Sequence, residues 1–144
     1  FEQFVDAGGG VVIYHAADNA WPDWEAYNEM IAIGGWGGRN EKSGPYLYMD
    51  KEGNVIRDTS PGRGGSHGSQ RPFLITVREP EHPIVKGLPK TFMHCADELY
   101  AMMRGPAKNR VEVAPIWAPI AAPVCITSAI RISTLPLRAW VIVP

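Results

Sequence analysis

The stretch GGGVVIYHAADNAWPDW, residues 8–24, contains the pattern that decides the fold class of this 144-residue chain. Before it, FEQFVDAG places its apolar residues on one face of a short helix, which the glycines at 8–10 terminate. The VVIY run at 11–14 is apolar at every position, which is typical of a parallel strand covered by helices on both faces. A helix, a glycine stop and a buried strand in succession predict an α/β protein.

A second helix is predicted shortly after this strand, because apolar residues recur at intervals of three and four. Its apolar positions are Trp24, Tyr27, Met30 and Ile31. Asp18 or Asn19 would cap its N-terminus, and GGWGGR at 34–39 would end it. Residues 40–72 are predicted to be mainly loop, since turn-forming residues dominate them. The alternation in FLITV at 73–77 predicts a further strand.

The composition is that of a globular protein without a strong electrostatic signal. The chain has 14 Lys and Arg against 15 Asp and Glu, a formal net charge of -1, so it offers no basic field for nucleic acid. No apolar run reaches the roughly 20 residues of a membrane-spanning helix, and FEQFVDAGGG is not a signal peptide. We expect no nucleic-acid or membrane partner and favour a cytoplasmic location. A periplasmic location stays open if a signal precedes residue 1, and so does a homo-oligomer.

The two ends of the chain carry separate expectations. Residues 106–144 contain six of the 13 prolines and no glycine. Either this segment is a genuine apolar, proline-rich tail, or a frameshift near residue 110 has replaced the true sequence. We therefore divide the chain into a partial domain at 1–109 and an atypical tail at 110–144. Because a parallel sheet rarely starts at the end of a helix, N-terminal strands are expected to be missing.

The histidines lie in the turn-rich middle of the chain. They are His15, His67, His82 and His94. In an open α/β sheet, functional groups collect at the carboxyl ends of strands, which is where VVIY places His15. Imidazole acts as general acid, general base or metal ligand near neutral pH. The predicted catalytic residues are His15, His94, Asp97 and Glu98. A divalent metal, zinc or manganese, with ligands His15, His67 and His94 is a further hypothesis.

A structural interpretation of the same carboxylates is open. Asp18 would then cap a helix, and Asp97 and Glu98 would lie in a helix first turn, where carboxylates are favoured electrostatically. No HExxH or CxxC motif supports a metal site, and Cys95 and Cys125 are expected to be ordinary thiols. A nucleophile elbow is absent from the sequence, which disfavours cysteine-dependent amidotransfer, and the glycine-rich runs contain no phosphate-binding loop.

Aromatic residues are dense between residues 21 and 46 and suit a sugar ligand. Aromatic rings stack on the C–H faces of a sugar, while polar neighbours bind its hydroxyls. Trp24 and Tyr27 have helical spacing and are expected in the core, whereas Trp21 and Trp36 flank turns and are better placed for a ligand. The predicted substrate-binding residues are Asp18, Asn19, Trp21, Trp36 and Arg39.

Several motifs in order resemble the ThuA-like family. They are GGGVVIYHAADNAWPDWEAYNEMI, GGWGGR, GP at 44–45, HG at 67–68, EHPIVKGLP and FMHCADELY, and the resemblance covers about residues 1–109. The resemblance implies a flavodoxin-like three-layer sandwich with a mainly parallel sheet, related to class I glutamine amidotransferases but without their catalytic cysteine. It also implies that the first strands lie upstream. The family continues after DELY with a glycine-rich strand and a histidine, which this chain lacks, and this favours the frameshift.

The family resemblance implies a role in bacterial carbohydrate utilisation, including that of trehalose. The family's polar motif positions fall on His15, Asp18, Asn19, Trp21, Trp36, Arg39, His67, His94, Asp97 and Glu98. Because the family often occurs beside oxidoreductases that make 3-keto sugars, we expect a hydrolase or lyase acting on a keto-disaccharide or glycoside, with metal assistance. The alternative is a non-catalytic sugar-binding module on the same scaffold. Both have a small-molecule sugar as partner.

Overall fold

The computed structural model describes residues 1–50, 52, 54–77, 80–81, 85–106, 111–112, 116–117, 131–132 and 138–142. The chain begins with helix α1 (Glu2–Asp6) and strand β1 (Gly10–Tyr14), as the sequence predicted. The further helical elements are the 3₁₀ turn His15–Asn19, helix α2 (Glu25–Ile31) and the 3₁₀ turn Glu41–Ser43. The further strands are β2 (Tyr46–Met49), β3 (Val55–Asp58), β4 (Ser66–His67), β5 (Arg71–Val77), β6 (Thr91–Asp97), β7 (Tyr100–Ala101), β8 (Val111–Glu112), β9 (Ile116–Trp117), β10 (Arg131–Ile132) and β11 (Arg138–Ile142). His82 and Cys125 lie outside the described residues.

The described strands form small sheets. β1 pairs in parallel with β11, whereas β2 pairs with β3, β4 with β7, β8 with β10, and β5 with both β6 and β9 in antiparallel fashion. The α/β class predicted from the sequence is confirmed. A mainly parallel sheet and flavodoxin-like layering are not confirmed by the described strands. None of the helices in the described residues has the length and apolar character needed to span a membrane.

Among the described residues, strand β1 has one buried and one exposed face, which differs from the prediction of a strand buried on both faces. Ile13 is 5% exposed and packs into the core, whereas Val12 and Tyr14 on the opposite face are 57% and 64% exposed. Successive side chains of a strand point to opposite faces. Apolar residues at the surface are common, so an unbroken apolar run does not establish that both faces are covered.

Residues 40–72 are mainly loop, as predicted, but the sequence did not predict the strands β2, β3 and β4 that lie within them. β2 and β3 form a hairpin whose turn is closed by Asp50 and Asn54. The Asp50 carboxylate accepts hydrogen bonds from the backbone N–H of Asn54 at 2.7 Å and from its side-chain amide at 2.8 Å. Tyr46 and Leu47 in β2 are buried, so packing against the core compensates for the turn-rich flanks.

The helix-capping and first-turn roles predicted for three carboxylates and one amide are also corrected. Helix α2 begins at Glu25 after Trp24, so neither Asp18 nor Asn19 caps it. Asp97 ends β6, and its carboxylate accepts a hydrogen bond from the backbone N–H of Glu98 at 2.8 Å. The chain continues into β7 at Tyr100, so no helix starts there.

Two clusters of buried side chains form the core. The larger cluster joins β1, α2, β2 and β7 and contains Ile13, Tyr27, Ile31, Ala32, Ile33, Leu47, Tyr100 and Met103. The smaller cluster contains Phe73, Ile75 and Leu99. Tyr27 is 2% exposed, which confirms its predicted core position, and Trp24 packs against the larger cluster.

Arg104 is a buried charge that holds the larger cluster to the loops around it. Its guanidinium donates to the backbone oxygens of Gly44 at 2.9 Å and Ser60 at 2.5 Å. The guanidinium carbon lies 3.4 Å from the centre of the Tyr46 ring, a cation–π contact. Backbone hydrogen bonds of 2.7 and 2.9 Å join Arg104 to Gly34 in both directions.

Candidate functional site

The 3₁₀ turn His15–Asn19, here called the histidine turn, follows β1 without a linker. His15 therefore lies at the carboxyl end of a strand that pairs in parallel, the position expected from the sequence. Its φ is 49°, a left-handed backbone conformation that is uncommon for residues other than glycine. The imidazole Nδ1 lies 3.1 Å from the hydroxyl of Tyr100, and the two ring centres are 4.8 Å apart.

Tyr100 is the centre of a group of polar and aromatic side chains, which we call the Tyr100 cluster. The cluster consists of His15, Trp36, His67, Glu98 and Tyr100. The Trp36 ring meets Tyr100 edge-on at 4.5 Å between ring centres, and the His67 ring lies 6.3 Å away on the paired strand β4. Nδ1 of His67 is 3.9 Å from a carboxylate oxygen of Glu98. Four residues predicted from separate motifs thus lie around Tyr100.

Tyr100 itself was not predicted from the sequence. It closes the DELY motif and is only 3% exposed, so a sequence cannot distinguish it from an ordinary core aromatic. Burial, with the nearby carboxylates of Asp18 and Glu98, raises the pKa of Tyr100 to about 12. The phenol therefore keeps its proton throughout the neutral range and can act as a hydrogen-bond donor.

His67 has a defined tautomer because of its backbone contact. Its Nδ1 lies 2.9 Å from the carbonyl oxygen of Gly68. A carbonyl only accepts hydrogen bonds, so Nδ1 must carry the proton, and the other ring nitrogen, Nε2, has the free lone pair in the neutral imidazole. The side chain of His67 is 40% exposed, which leaves it accessible to a ligand.

Gly65 allows Trp36 to approach the cluster. Its φ of 88° favours glycine, and a Cβ at this position would collide with the backbone nitrogen of Trp36 and with its ring. Trp36 also has a left-handed backbone, with φ 47°, and its N–H donates to the carbonyl of Gly64 at 3.0 Å. The glycine pair at 64–65 thus positions the tryptophan by close backbone contact.

Asp18 is the buried carboxyl group of the histidine turn. It has 0% exposure, and neither of its oxygens has a hydrogen-bond partner among the described residues; the same holds for Oδ1 of Asn19. Burial raises the pKa of Asp18 from 3.8 to about 7, although the Arg39 guanidinium opposes the shift. A carboxyl with a pKa near neutrality beside a histidine and a tyrosine is typical of a site that transfers protons.

Arg39 supports the histidine turn from inside the protein. It is 2% exposed, and its guanidinium donates to the carbonyl oxygens of Asn19, Ala20 and Gly35 at 3.1, 2.8 and 2.7 Å. It also donates twice to the side-chain oxygen of Asn28, at 3.2 and 3.0 Å. These bonds engage all three nitrogens of the guanidinium, so the structure gives Arg39 a supporting position where the sequence predicted substrate binding.

Other predicted site residues lie apart from the Tyr100 cluster. His94 is on β6, where its ring stacks on Phe73 at 4.7 Å and its Nδ1 lies 3.1 Å from the carbonyl oxygen of Cys95. Trp21 is 59% exposed with φ 40°, and its ring meets Trp24 and Tyr27 edge-on. Asp97 is close enough to contribute to the raised pKa of Tyr100.

A cleft of about 580 Å³ has Arg39 in its lining. Its lining includes Pro22, Asn28, Glu29, Asn40 and Lys42. The members of the Tyr100 cluster are not in its lining. We place the candidate reaction centre at the Tyr100 cluster, because chemistry requires the titratable side chains that meet there, whereas a cleft alone requires only space.

The described residues do not assemble the three-histidine metal site predicted from the sequence. Among them, no group of three or more His, Cys, Asp and Glu side chains is close enough to hold a metal ion. His15 and His67 both contact Tyr100, but His94 packs against Phe73 instead. The donor set therefore does not fit such a site, and metal binding stays a prediction.

The family of the chain follows from its sequence match. The sequence model of the ThuA family, described as trehalose utilisation, matches residues 1–117. The chain belongs to the ThuA family. This confirms the family predicted from the motifs, and the match includes every member of the Tyr100 cluster.

A solved structure supports the same conclusion. A protein described as ThuA-like from Parabacteroides merdae ATCC 43184 has 40% sequence identity to this ThuA chain and a TM-score of 0.85. The similarity covers 97% of this chain and 51% of that protein, so the chain spans about half the length of its solved relative. A comparison with curated proteins found no match.

Proposed function

We propose that this ThuA chain contributes the reaction centre of a carbohydrate-utilisation enzyme that acts on a keto-disaccharide or a related glycoside. The observation that carries the proposal is the Tyr100 cluster, where two histidines and a carboxylate meet one buried tyrosine. Family membership supports a sugar substrate. Aromatic rings beside hydrogen-bonding groups suit a sugar, and paired titratable groups suit proton transfer.

In the proposed reaction, His67 acts as the general base and His15 as a hydrogen-bond donor. The neutral His67 ring has a free Nε2, which would take a proton from the carbon beside the sugar ketone, and Glu98 would stabilise the imidazolium that forms. His15 would hydrogen-bond the ketone oxygen as negative charge develops on it. Trp36 would stack on the sugar ring and exclude water from one side of the cluster.

Metal assistance is a separate part of the proposal that came from the sequence alone. Zinc or manganese would polarise the same ketone oxygen if ligands outside the described residues completed a site with His15 or His67. Because the described side chains do not form a three-ligand set, no step above depends on a metal.

We further propose that the complete protein has a flavodoxin-like, three-layer architecture related to class I glutamine amidotransferases. Two features support this: the parallel pairing of β1 with β11, and the position of His15 at the end of β1, where amidotransferases carry their nucleophile. An experimental structure that includes the strands beside β1 tests it. A wholly antiparallel sheet there would contradict it.

Replacement of single histidines tests the reaction centre. We expect His15→Ala and His67→Ala each to lower kcat/KM for a keto-disaccharide by about 100-fold or more, the usual contribution of a general acid or base. His94→Ala is the matched control: its side chain packs on Phe73, so turnover should stay close to that of the unmodified chain. Circular dichroism verifies folding, and product formation is followed by NMR. Loss of turnover in His94→Ala alone would return the catalytic role to His94, as the sequence predicted.

The alternative is a sugar-binding module without catalysis. The exposed Trp21 and the cleft of about 580 Å³ that starts beside it at Pro22 favour this reading, because that volume is in the range of small-ligand sites. Calorimetric binding of a disaccharide without turnover, weakened by Trp21→Ala and not by His15→Ala, would support the alternative.

A further inference from the structure

We infer that Tyr100 is a positioning residue that fixes the tautomer of His15. The hydrogen bond between them would make the neutral His15 a hydrogen-bond donor at Nε2 and not a base. The catalytic use of this tautomer rests on the proposed function, whereas the contact between Tyr100 and His15 is independent of any reaction.

The first step concerns the single proton of the Tyr100 hydroxyl. The hydroxyl lies 3.1 Å from Nδ1 of His15, so either group could donate to the other. Tyr100 is 3% exposed, so water has little access to satisfy the hydroxyl. A buried hydroxyl normally donates its proton to a protein acceptor.

The second step concerns the acceptor that this hydroxyl can reach. Among the described residues, Nδ1 of His15 is the atom that forms a hydrogen bond with the Tyr100 hydroxyl. The proton is therefore directed to Nδ1 of His15.

The third step is the consequence for the imidazole. When Nδ1 accepts a hydrogen bond, the neutral ring carries its proton on Nε2. His67 and His94 have the opposite arrangement, because Nδ1 of each lies beside a backbone carbonyl, that of Gly68 or that of Cys95. The structure thus assigns one tautomer to His15 and the other to His67, which matches a donor and a base in one reaction.

The tautomers can be read directly by long-range ¹H–¹⁵N NMR of the full chain at a pH where the histidines are neutral. We expect an Nε2–H pattern for His15 and an Nδ1–H pattern for His67 and His94, which serve as references in the same spectrum. Assignment uses His15→Gln, which removes one set of signals. An Nδ1–H pattern for His15 would overturn the inference, because it would make Tyr100 the acceptor of the hydrogen bond.

Variants test whether Tyr100 causes the tautomer. In Tyr100→Phe, we expect the His15 signals to become those of a mixture of tautomers. Tyr27→Phe is the matched control, since Tyr27 is equally buried and its hydroxyl donates to the carbonyl of Ala17, within the same turn, at 2.6 Å. An unchanged His15 spectrum in Tyr100→Phe would overturn the causal role of Tyr100. If that variant does not fold, the spectrum of the unmodified chain still decides the tautomer.

Kinetics separate this inference from the proposed function. If both hold, Tyr100→Phe lowers kcat by about tenfold, the usual effect of one hydrogen bond, with KM nearly unchanged. If Tyr100→Phe shifts the tautomer of His15 without any effect on turnover, the positioning role of Tyr100 is supported and His15 takes no part in the reaction. A fall in kcat with an unchanged tautomer would instead reject the positioning role.

Discussion

At the scale of single residues, Asp18 has the most unusual surroundings in the histidine turn, because both carboxyl oxygens are buried without a partner among the described residues. Its folded pKa of about 7 lies above the ordinary value of 3.8. The folded protein therefore binds the proton more tightly than the unfolded chain. The stability that this proton provides is complete below about pH 4 and is lost as the pH rises towards 7.

Replacement of Asp18 by asparagine tests this directly. Since one pKa unit corresponds to about 1.4 kcal/mol, ionisation of Asp18 costs the folded state on the order of 4 kcal/mol at pH 8. Asp18→Asn cannot ionise, so its free energy of unfolding should exceed that of the unmodified chain at pH 8, and the difference should shrink towards pH 5. Urea unfolding at both pH values measures it. A difference that does not vary with pH would show that Asp18 is not protonated in the folded state.

At the scale of secondary-structure elements, the histidine turn depends on close backbone packing at Gly34. A Cβ on Gly34 would lie 2.5 Å from the carbonyl oxygen of Asp18 and 2.8 Å from Nε of Arg39. Both neighbours are fixed, so Gly34→Ala should lower the free energy of unfolding by about 1–3 kcal/mol, the usual cost of overpacking. Gly68→Ala is the control, because a Cβ there meets nothing within 4 Å. Equal stability of the two variants in urea would contradict the role of Gly34.

Elements with a clear local signal could be predicted from the sequence, and elements that depend on distant partners could not. The glycine stop before β1, the spacing of α2 and the alternation of β5 are local patterns, and all three elements are present. β2 and β3 lie between turn-forming residues, and packing of Tyr46 and Leu47 against the core stabilises them. Such tertiary contacts are not visible in a single sequence.

The same limit applies to the candidate site. His15 could be located because its position depends on one strand and one turn. The meeting of His15, His67 and Glu98 depends on the pairing of β4 with β7, a contact between distant parts of the chain. Tyr100 was missed for the same reason. Only the contact of its hydroxyl with His15, 85 residues away, indicates that it belongs to the candidate site.

At the scale of the whole molecule, metal content tests the ligand set that the sequence predicted. We expect any stoichiometric zinc or manganese retained after dialysis to be lost in His15→Ala and in His67→Ala, whose side chains meet at Tyr100. It should be kept in His94→Ala, because His94 stacks on Phe73. Elemental analysis of the purified proteins measures this. Loss of the metal in His94→Ala would contradict the arrangement, and a metal-free unmodified chain would remove metal assistance from the proposed function.

The left-handed backbone at His15 also limits how this position can evolve. A φ of 49° is tolerated by glycine, asparagine and aspartate but is strongly unfavourable for a β-branched residue. A lineage that loses the imidazole should therefore substitute asparagine or glycine sooner than valine, isoleucine or threonine. An asparagine at this position in a descendant would thus indicate that selection on the chemistry had ended while the turn itself was still under selection.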